Sequence, residues 1–91
     1  MKFCLEVGEV ERHQVEFTFN QLLGQLQIRV NKKAIKNQVR LFNEPMSETH
    51  TIQVGDGERV IVRFEKERAS TFTQRCRVFL NERLYKCYEG A

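Results

Sequence analysis

The sequence predicts an all-β protein, an antiparallel β-sandwich of about seven or eight short strands. Three observations lead to this prediction. Apolar and polar residues alternate along most of the chain, no stretch of helical length keeps a period of about 3.6 residues, and turn-forming residues recur between the alternating stretches. Strands of this kind bury one face and expose the other, as they do in antiparallel sheets.

The alternation is clearest in five stretches, which are residues 15–19, 26–30, 52–54, 60–64 and 76–80. Turn signals lie between them at Leu23-Gly24, Asn31-Lys32, Gly55-Asp56-Gly57 and Asn81-Glu82. Residues 38–48 are the least regular part of the chain. Pro45 excludes a central strand there, although residues 40–42 are compatible with a short strand before a loop. Residues 65–70 are too few for an independent helix, so we expect a strand end that runs into a loop.

An internal repeat constrains the architecture. Residues 26–36 align with residues 76–86 at a constant offset of 50, and residues 15–19 resemble residues 60–64. Two copies do not make a solenoid. They predict two equivalent halves, packed as two sheets with a pseudo-twofold relation, within one domain that spans residues 1–91. The alternative is that any two β-hairpins share such a pattern.

The turn residues predict how the strands pair. A two-residue turn at Asn81-Glu82 pairs Val78 with Tyr85 and Cys76 with Cys87. The corresponding turn at Asn31-Lys32 pairs Ile28 with Ile35. A longer turn with a bulge is the alternative, and it shifts the register. At the third hairpin, the burial pattern favours pairing Val54 with Val60 and Ile52 with Val62.

The same register predicts an interaction patch on the opposite face of the last hairpin. Phe79 faces Leu84 there, and Arg77 faces Lys86, so an apolar pair lies on a basic surface. Exposed apolar patches can mark partner sites. We favour the interpretation that a loop at residues 44–48, or the N-terminal strand, covers the pair, and we keep the exposed patch as the candidate site.

The cysteines and histidines do not form a recognisable catalytic or metal-binding motif. No C-x-x-C or H-x-x-x-H pair occurs, and no phosphate-binding glycine loop occurs, so we expect no catalytic residues, no metal and no cofactor. Cys76 and Cys87 are interpreted as core thiols, with a cross-strand disulfide as the alternative. An enzyme that uses Cys87 with His50 is the least favoured function.

The charge balance fits a solvated sheet exterior. Lys and Arg number 15 against 12 Asp and Glu, and the basic residues are interleaved with acidic ones. One alternative function is nonetheless a small basic β-barrel that binds single-stranded nucleic acid. The basic residues of this alternative are Arg29, Lys32, Lys36, Arg75, Arg77 and Lys86, with Phe79 and Tyr88 stacking on bases.

The composition also indicates where the protein acts. No apolar run approaches the ~20 residues of a membrane-spanning helix, and the first residues lack the apolar region of a secretory signal. Three cysteines are an odd number, which fits reduced thiols. We therefore expect a cytoplasmic protein without a membrane partner.

Several segments resemble the Fas apoptotic inhibitory molecule family. The resemblance lies in residues 11–17, 48–55, 60–64 and 77–88. The last of these segments has a strand and an Asn-containing turn like those of the family, and it ends on a similar L-x-K-x-Y pattern at Leu84, Lys86 and Tyr88. It covers one of the two β domains of the family's members. Lys32 and Glu82 replace a turn glycine, and the family's tryptophan is missing. The resemblance implies a non-catalytic β-sandwich that acts through protein contacts. From the residues themselves we expect the sheet edges, or the face with Phe79 and Leu84, to contact another protein or a second copy of the chain.

Overall fold

The computed structural model describes residues 1–41 and 45–90, and these form an all-β sandwich. Two antiparallel four-stranded meanders pack face to face, with strand orders β1-β2-β3-β4 and β5-β6-β7-β8. The strands are β1 (Lys2–Val7), β2 (His13–Asn20), β3 (Gln25–Val30), β4 (Lys33–Val39), β5 (Ser47–Val54), β6 (Val60–Arg68), β7 (Gln74–Leu80) and β8 (Arg83–Gly90). In these residues there is no helix with the length and apolar character needed to cross a membrane.

The strand boundaries agree with the sequence pattern at the two uncertain stretches. β4 ends at Val39 and β5 begins at Ser47, so Pro45 lies outside both strands. Arg40 and Leu41 follow β4 without extending it, and Phe42 falls outside the described residues. β6 continues to Arg68, which confirms that residues 65–70 are a strand end followed by a loop.

An aromatic stack forms the centre of the core. Phe17 of β2 and Phe64 of β6 stack across the two sheets with ring centroids 5.2 Å apart. Phe3 of β1 lies between Phe17, at 5.0 Å, and Tyr88 of β8, at 3.8 Å. Most of the other buried side chains are aliphatic residues at alternate strand positions. Burial of these alternate positions is the main force that joins the sheets.

The two halves are related by the predicted pseudo-twofold repeat. Asn31 and Lys32 have φ angles of 50° and 69°, and Asn81 and Glu82 have 49° and 69°, as in the two-residue turns that favour asparagine. Each asparagine also accepts a hydrogen bond at Oδ1 from the inner strand of its own sheet, at 2.9 Å from both Gln14 N and Ile61 N. The turn residues of the last two hairpins therefore have the same role in each half.

The upstream half of the repeat has a different offset from the one the sequence indicated. Phe17 pairs with Ile28, and Phe64 pairs with Val78. Since Ile28 and Val78 are equivalent at an offset of 50, Phe17 corresponds to Phe64 and the offset between β2 and β6 is 47. The alignment of residues 15–19 with residues 60–64 was therefore two residues out of register.

The predicted turns are correct, but a β-bulge overturns the pairing beyond them. Phe79 pairs with Leu84 as expected, and the register shifts by one residue between Val78 and Phe79. The pairs that form are Val78 with Lys86, Arg77 with Cys87, and Cys76 with Tyr88, whereas Ile28 pairs with Lys36 in the first sheet. The extra residues, Ile35 and Tyr85, are half-exposed. A bulge inserts one residue opposite a regular strand, and turn chemistry alone does not show it.

The third hairpin has the predicted register. Val54 pairs with Val60 and Ile52 with Val62, and all four side chains are buried. A slip of one residue would have turned these side chains to the solvent. The hydrophobic pattern therefore decides the register of this hairpin.

Two glutamates join the halves at one end of the sandwich. Glu58 Oε1 accepts hydrogen bonds from the backbone N–H groups of Glu9 and Val10, both at 2.9 Å, and of Glu11 at 3.1 Å. In return, the Glu11 carboxylate accepts from the N–H groups of Asp56 at 2.9 Å and Gly57 at 3.3 Å. We call this arrangement the reciprocal carboxylate clasp. These backbone hydrogen bonds hold the pKa of Glu58 below its ordinary value.

The clasp has a sequence signature, because its two turns read V-G-E-V-E at residues 7–11 and V-G-D-G-E at residues 54–58. Gly8 and Gly55 have φ angles of 99° and 98°, and a Cβ atom at either would lie 2.0–2.1 Å from the carbonyl oxygen of Glu11 or Glu58. Only glycine fits these positions. The motif, at an offset of 47, could have shown both the clasp and the true alignment of the halves.

Candidate functional site

The predicted interaction patch lies on the outer face of β7 and β8. Leu84 is 59% exposed, and its cross-strand partner Phe79 is partly covered. The cover is the guanidinium group of Arg63, which lies 4.3 Å from the centroid of the Phe79 ring. Arg63 is held there by Glu82 at 2.7 Å and Glu65 at 3.1 Å. In the described residues neither a loop nor β1 forms the cover; Glu44, which belongs to the loop considered for this role, falls outside them.

The bulge divides the four residues predicted for the patch. Arg77 shares the outer face with Phe79 and lies 3.7 Å from Glu65. Lys86 pairs with the buried Val78, and its Nζ lies 5.1 Å from the Tyr88 ring, so it belongs to the other face. The half-exposed Ile61 of β6 belongs to the patch instead of Lys86, because it points outward at a position diagonal to Phe79. The outer patch therefore consists of Ile61, Phe79 and Leu84, with Arg63 and Arg77 beside them.

The equivalent face of the other half is polar. Gln14, Arg29 and Ala34 occupy the positions that correspond to Ile61, Phe79 and Leu84. Arg29 lies 3.6 Å from Glu16 and donates a hydrogen bond to the Lys32 carbonyl at 2.9 Å. Since this half folds without a large apolar side chain at these positions, the fold does not require the outer patch.

The strand that borders the outer patch is an open edge. β8 pairs only with β7, and most of its residues are exposed on both faces. Arg83 and Lys86 lie on this strand, and in the described part of the chain neither has a carboxylate within 4.0 Å. An edge strand presents a row of unpaired N–H and C=O groups to any extended segment that approaches it.

A second candidate site is a buried ionic cluster between β4 and β5, which consists of Lys36, Arg40, Glu48, His50 and Lys66. The Glu48 side chain is 7% exposed, and it accepts hydrogen bonds from Arg40, from His50 Nε2 at 2.7 Å and from Lys66 Nζ at 3.3 Å. Lys66 is fully buried and also lies 3.9 Å above the Phe19 ring. Burial by itself would raise the pKa of Glu48, but the hydrogen bonds from Arg40 and His50 and the charge of Lys66 hold it below its ordinary value.

The two ring nitrogens of His50 contact different partners. Lys36 Nζ lies 3.3 Å from His50 Nδ1, and an ammonium group can only donate. His50 Nδ1 therefore accepts in this contact, and Nε2, on the other side of the ring, lies 2.7 Å from Glu48 Oε1. Lys36 and Arg40 belong to the first half, whereas Glu48, His50 and Lys66 belong to the second. Chemically, the ionic cluster connects the two halves along this side of the sandwich.

On the opposite side of the sandwich, between β1 and β8, apolar residues occupy the positions equivalent to three residues of the ionic cluster. By strand pairing, Met1, Phe3 and Phe19 occupy the positions that correspond to Glu48, His50 and Lys66. Phe3 stacks on Tyr88 there, so the contact between β1 and β8 is aromatic. The pseudo-twofold fold is thus closed by aromatic rings on one side and by charges on the other. The sequence interpretation missed the charged side, because Glu48, His50 and Lys66 follow the ordinary alternation of their strands.

The three cysteines are free thiols that differ in exposure. Cys76 is a buried core thiol as predicted, whereas Cys4 and Cys87 are exposed, so the core-thiol interpretation is wrong for Cys87. Cys76 pairs with Tyr88, and Cys87 pairs with Arg77, so these two thiols lie on opposite faces of the sheet and the disulfide alternative is wrong. Burial, followed by the charge of Cys87, raises the pKa of Cys76 to about 12. Cys87 and His50 lie on the two outermost strands of one sheet, so the structure does not bring this pair together.

The other histidine of the chain, His13, has polar neighbours of its own. His13 Nδ1 lies 2.8 Å from Asn31 Nδ2, and His13 Nε2 lies 3.3 Å from Glu11 Oε2. In residues 1–41 and 45–90 no three His, Cys, Asp or Glu side chains are placed to hold a metal ion.

The residues of the nucleic-acid alternative occupy several surfaces. Arg29 lies on the outer face of the first sheet, Arg75 on that of the second, and Lys36 reaches inward to His50. Tyr88 stacks on Phe3. Within the described residues these side chains do not form one continuous basic and aromatic track. Single-strand binding stays a prediction, which is tested by a titration in which the affinity should fall steeply with salt.

Comparison with known proteins adds the following result. No family model matches the chain, and no curated protein and no solved structure matches it.

Proposed function

We propose that this protein is a non-catalytic protein-interaction domain, of the type found in the Fas apoptotic inhibitory molecule family, and that it binds an extended acidic segment of a partner protein along β8. The observation that carries the proposal is the outer patch beside an open edge strand, on a face that is polar in the other half of the same fold. Three free cysteines fit a cytoplasmic setting for this interaction.

The edge of β8 supplies the first part of the binding surface. An extended segment can add to such an edge as a further strand, and main-chain hydrogen bonds then provide affinity. The alternate side chains of the added strand contact the sheet faces, so the neighbouring side chains provide specificity. Leu84 and Phe79 are the apolar residues in the first two strands of this edge on the outer face.

Charge favours an acidic segment as the occupant. Arg83 and Lys86 lie along the open edge, and the ion pairs formed by the described residues leave both of them without a carboxylate. Glu89, the acidic residue at the end of the strand, is paired with Arg75 at 3.3 Å. Complementary charge steers a partner to its site and fixes its register. A second copy that pairs β8 with β8 in antiparallel register would bring these cations together, so we favour a different partner.

A titration with model peptides tests the proposal. The probe is a synthetic peptide of alternating valine and glutamate, and its control is the same peptide with lysine in place of glutamate. We expect the acidic peptide to shift the backbone amide resonances of residues 83–90, and the basic peptide to leave them unchanged. Leu84→Ser should weaken the acidic complex by about tenfold or more, because a buried leucine contributes about 1.5–3 kcal/mol.

The other half of the fold provides the matched control. Ala34 occupies the position equivalent to Leu84, so Ala34→Ser should leave binding unchanged. Equal shifts along β4 and β8 would show that any exposed edge binds the peptide and would contradict the proposal. The same conclusion would follow if Leu84→Ser bound as tightly as the unaltered protein.

A further inference from the structure

Two glutamates hold the guanidinium group of Arg63 over the outer patch. The group lies 4.3 Å from the centroid of the Phe79 ring. Its Nη1 donates a hydrogen bond to Glu82 at 2.7 Å, and its Nε donates one to Glu65 at 3.1 Å. The hydrogen bond to Glu82 is the main cause that raises the pKa of Arg63 above its ordinary value. Glu82 is therefore the principal partner of this cation.

The contact between Arg63 and Glu82 is easily exchanged for another. The Glu82 side chain is 74% exposed, and the residue belongs to the turn that leads into the open edge strand β8. Ion pairs with an exposed partner are weak, because water and salt compete with them. A carboxylate from a bound segment can therefore take the place of Glu82 at little cost, and Arg63 then keeps both an ion pair and its contact with Phe79.

The fold does not require this arrangement, because the other half has the reverse charges at the same positions. In that half the anion lies on the inner strand and cations lie beside it, with Glu16 3.6 Å from Arg29. A cation above an aromatic ring, next to an open edge, is thus a feature of the second half. Strand pairing and the equivalence of the two turns place Glu16, Arg29 and Lys32 at the positions of Arg63, Phe79 and Glu82.

The spacing of the strands brings the guanidinium group within reach of a segment bound along β8. Phe79 lies on β7, so a strand added to β8 would be two strand spacings away from it, about 10 Å. Arg63 extends from β6 over β7, and Leu84 of β8 lies between Phe79 and the added strand. A glutamate side chain of the added strand can cross Leu84 to meet the guanidinium group, whereas aspartate is one methylene group shorter.

We propose that Arg63 is the specificity-determining residue of the β8 site, and that a glutamate of the bound segment displaces Glu82 from it. Glu82 is then an autoinhibitory contact, which imitates the partner's carboxylate in the free protein and lowers the affinity for that carboxylate. This inference rests on the function proposed above and adds which side chain of the partner is recognised. A segment that carries glutamate beside Leu84 is bound in preference to one that carries aspartate.

Peptide titrations test the inference. The probes are the alternating peptide of valine and glutamate and the same peptide with aspartate in place of glutamate. We expect the unaltered protein to bind the glutamate peptide about threefold more tightly than the aspartate peptide. Glu82→Gln should bind the glutamate peptide about threefold more tightly than the unaltered protein does, because the competing ion pair is removed.

A second substitution separates this effect from the general loss of a negative charge. In Arg63→Gln the preference for glutamate should disappear, and adding Glu82→Gln to this variant should no longer tighten binding. Glu67→Gln is the matched control, because it removes the same charge from the outer face of the same strand. Glu67 accepts a hydrogen bond from Arg75 at 3.2 Å, further along β6 and away from the outer patch, so this variant should bind like the unaltered protein. Thermal denaturation establishes that each variant is folded.

The possible outcomes separate this inference from the function on which it rests. The inference is overturned if Glu82→Gln does not tighten binding, if the tightening persists with Arg63→Gln, if Glu67→Gln tightens binding equally, or if the two peptides bind equally. In each of these cases the unaltered protein still binds the acidic peptide along β8, so the proposed function stands. If neither the unaltered protein nor Glu82→Gln binds the glutamate peptide, both the inference and the proposed function are wrong.

Discussion

Substitution of Glu48 by glutamine is the most informative test of the buried ionic cluster. The change keeps the shape of the side chain and removes the charge that Arg40, His50 and Lys66 share. The Glu48 side chain is almost fully buried, so water cannot replace the lost charge, and the remaining cations repel one another. Removing one partner of a buried ion pair costs about 3–5 kcal/mol in free energy of unfolding. We expect about 3 kcal/mol for Glu48→Gln, because the amide oxygen still accepts one hydrogen bond.

That loss is large for a domain of this size. Domains are stable by about 0.05–0.15 kcal/mol per residue, so a chain of 91 residues has roughly 5–14 kcal/mol. A loss of 3 kcal/mol corresponds to a decrease in melting temperature of about 12–24 °C. Urea denaturation followed by circular dichroism, with linear extrapolation to water, gives the free energy directly.

The pH dependence of the difference in free energy of unfolding between the unaltered protein and Glu48→Gln supplies an independent check. The pKa of Glu48 is lower in the folded protein than in the unfolded chain, so its ionisation stabilises the fold above the ordinary glutamate pKa of about 4.3. That contribution is lost as the pH falls through the folded value. The gap between the unaltered protein and Glu48→Gln should therefore be full near neutral pH and should narrow in acid.

Glu16→Gln is the control for a surface ion pair. Glu16 lies 3.6 Å from the partly exposed Arg29, and such pairs contribute about 0–1 kcal/mol. If Glu48→Gln is destabilised by no more than Glu16→Gln, the ionic cluster does not stabilise the contact between the halves, and the physical argument for it is refuted.

Three further predictions concern the clasp, the thiols and the turns. Glu58→Gln should speed amide hydrogen exchange at Val10 and Glu11 above the pKa of Glu58 but not below it, because only the carboxylate binds these N–H groups strongly. Equal exchange rates in the two proteins at neutral pH would contradict the clasp. Under native conditions near pH 8 a thiol reagent should modify Cys4 and Cys87 but not Cys76. All three thiols should react in denaturant, and fewer than three reactive thiols there would reveal a disulfide. Asn81→Ala should lower the free energy of unfolding by about 2 kcal/mol, because alanine is strained at a positive φ and the hydrogen bond to Ile61 N is lost. Asn81→Gly should lower it by about 1 kcal/mol, because glycine loses only the hydrogen bond. Identical losses in the two variants would show that backbone strain is not involved.

The outer patch shows how far sequence reasoning could go. Its central pair, Phe79 and Leu84, follows from the asparagine turn, because residues next to a two-residue turn have only one sensible partner. Lys86 was assigned to the wrong face, since one bulged residue, Tyr85, reverses every side chain beyond it. The covering of Phe79 by Arg63 depends on a third strand, β6, and no local pattern indicates it.

The sequence by itself determined the fold class, the repeat of the last two hairpins, the turn positions and the register of Val54 with Val60. These follow from local chemistry: alternation matches the pleat of a strand, and asparagine tolerates a positive φ. Only the tertiary structure decided which contacts cross between the halves. The clasp and the ionic cluster join residues from both halves that are distant in sequence. Such contacts depend on the relative placement of the two sheets, which is set by the packing of Phe3, Phe17 and Phe64 across the core rather than by any pattern along the chain.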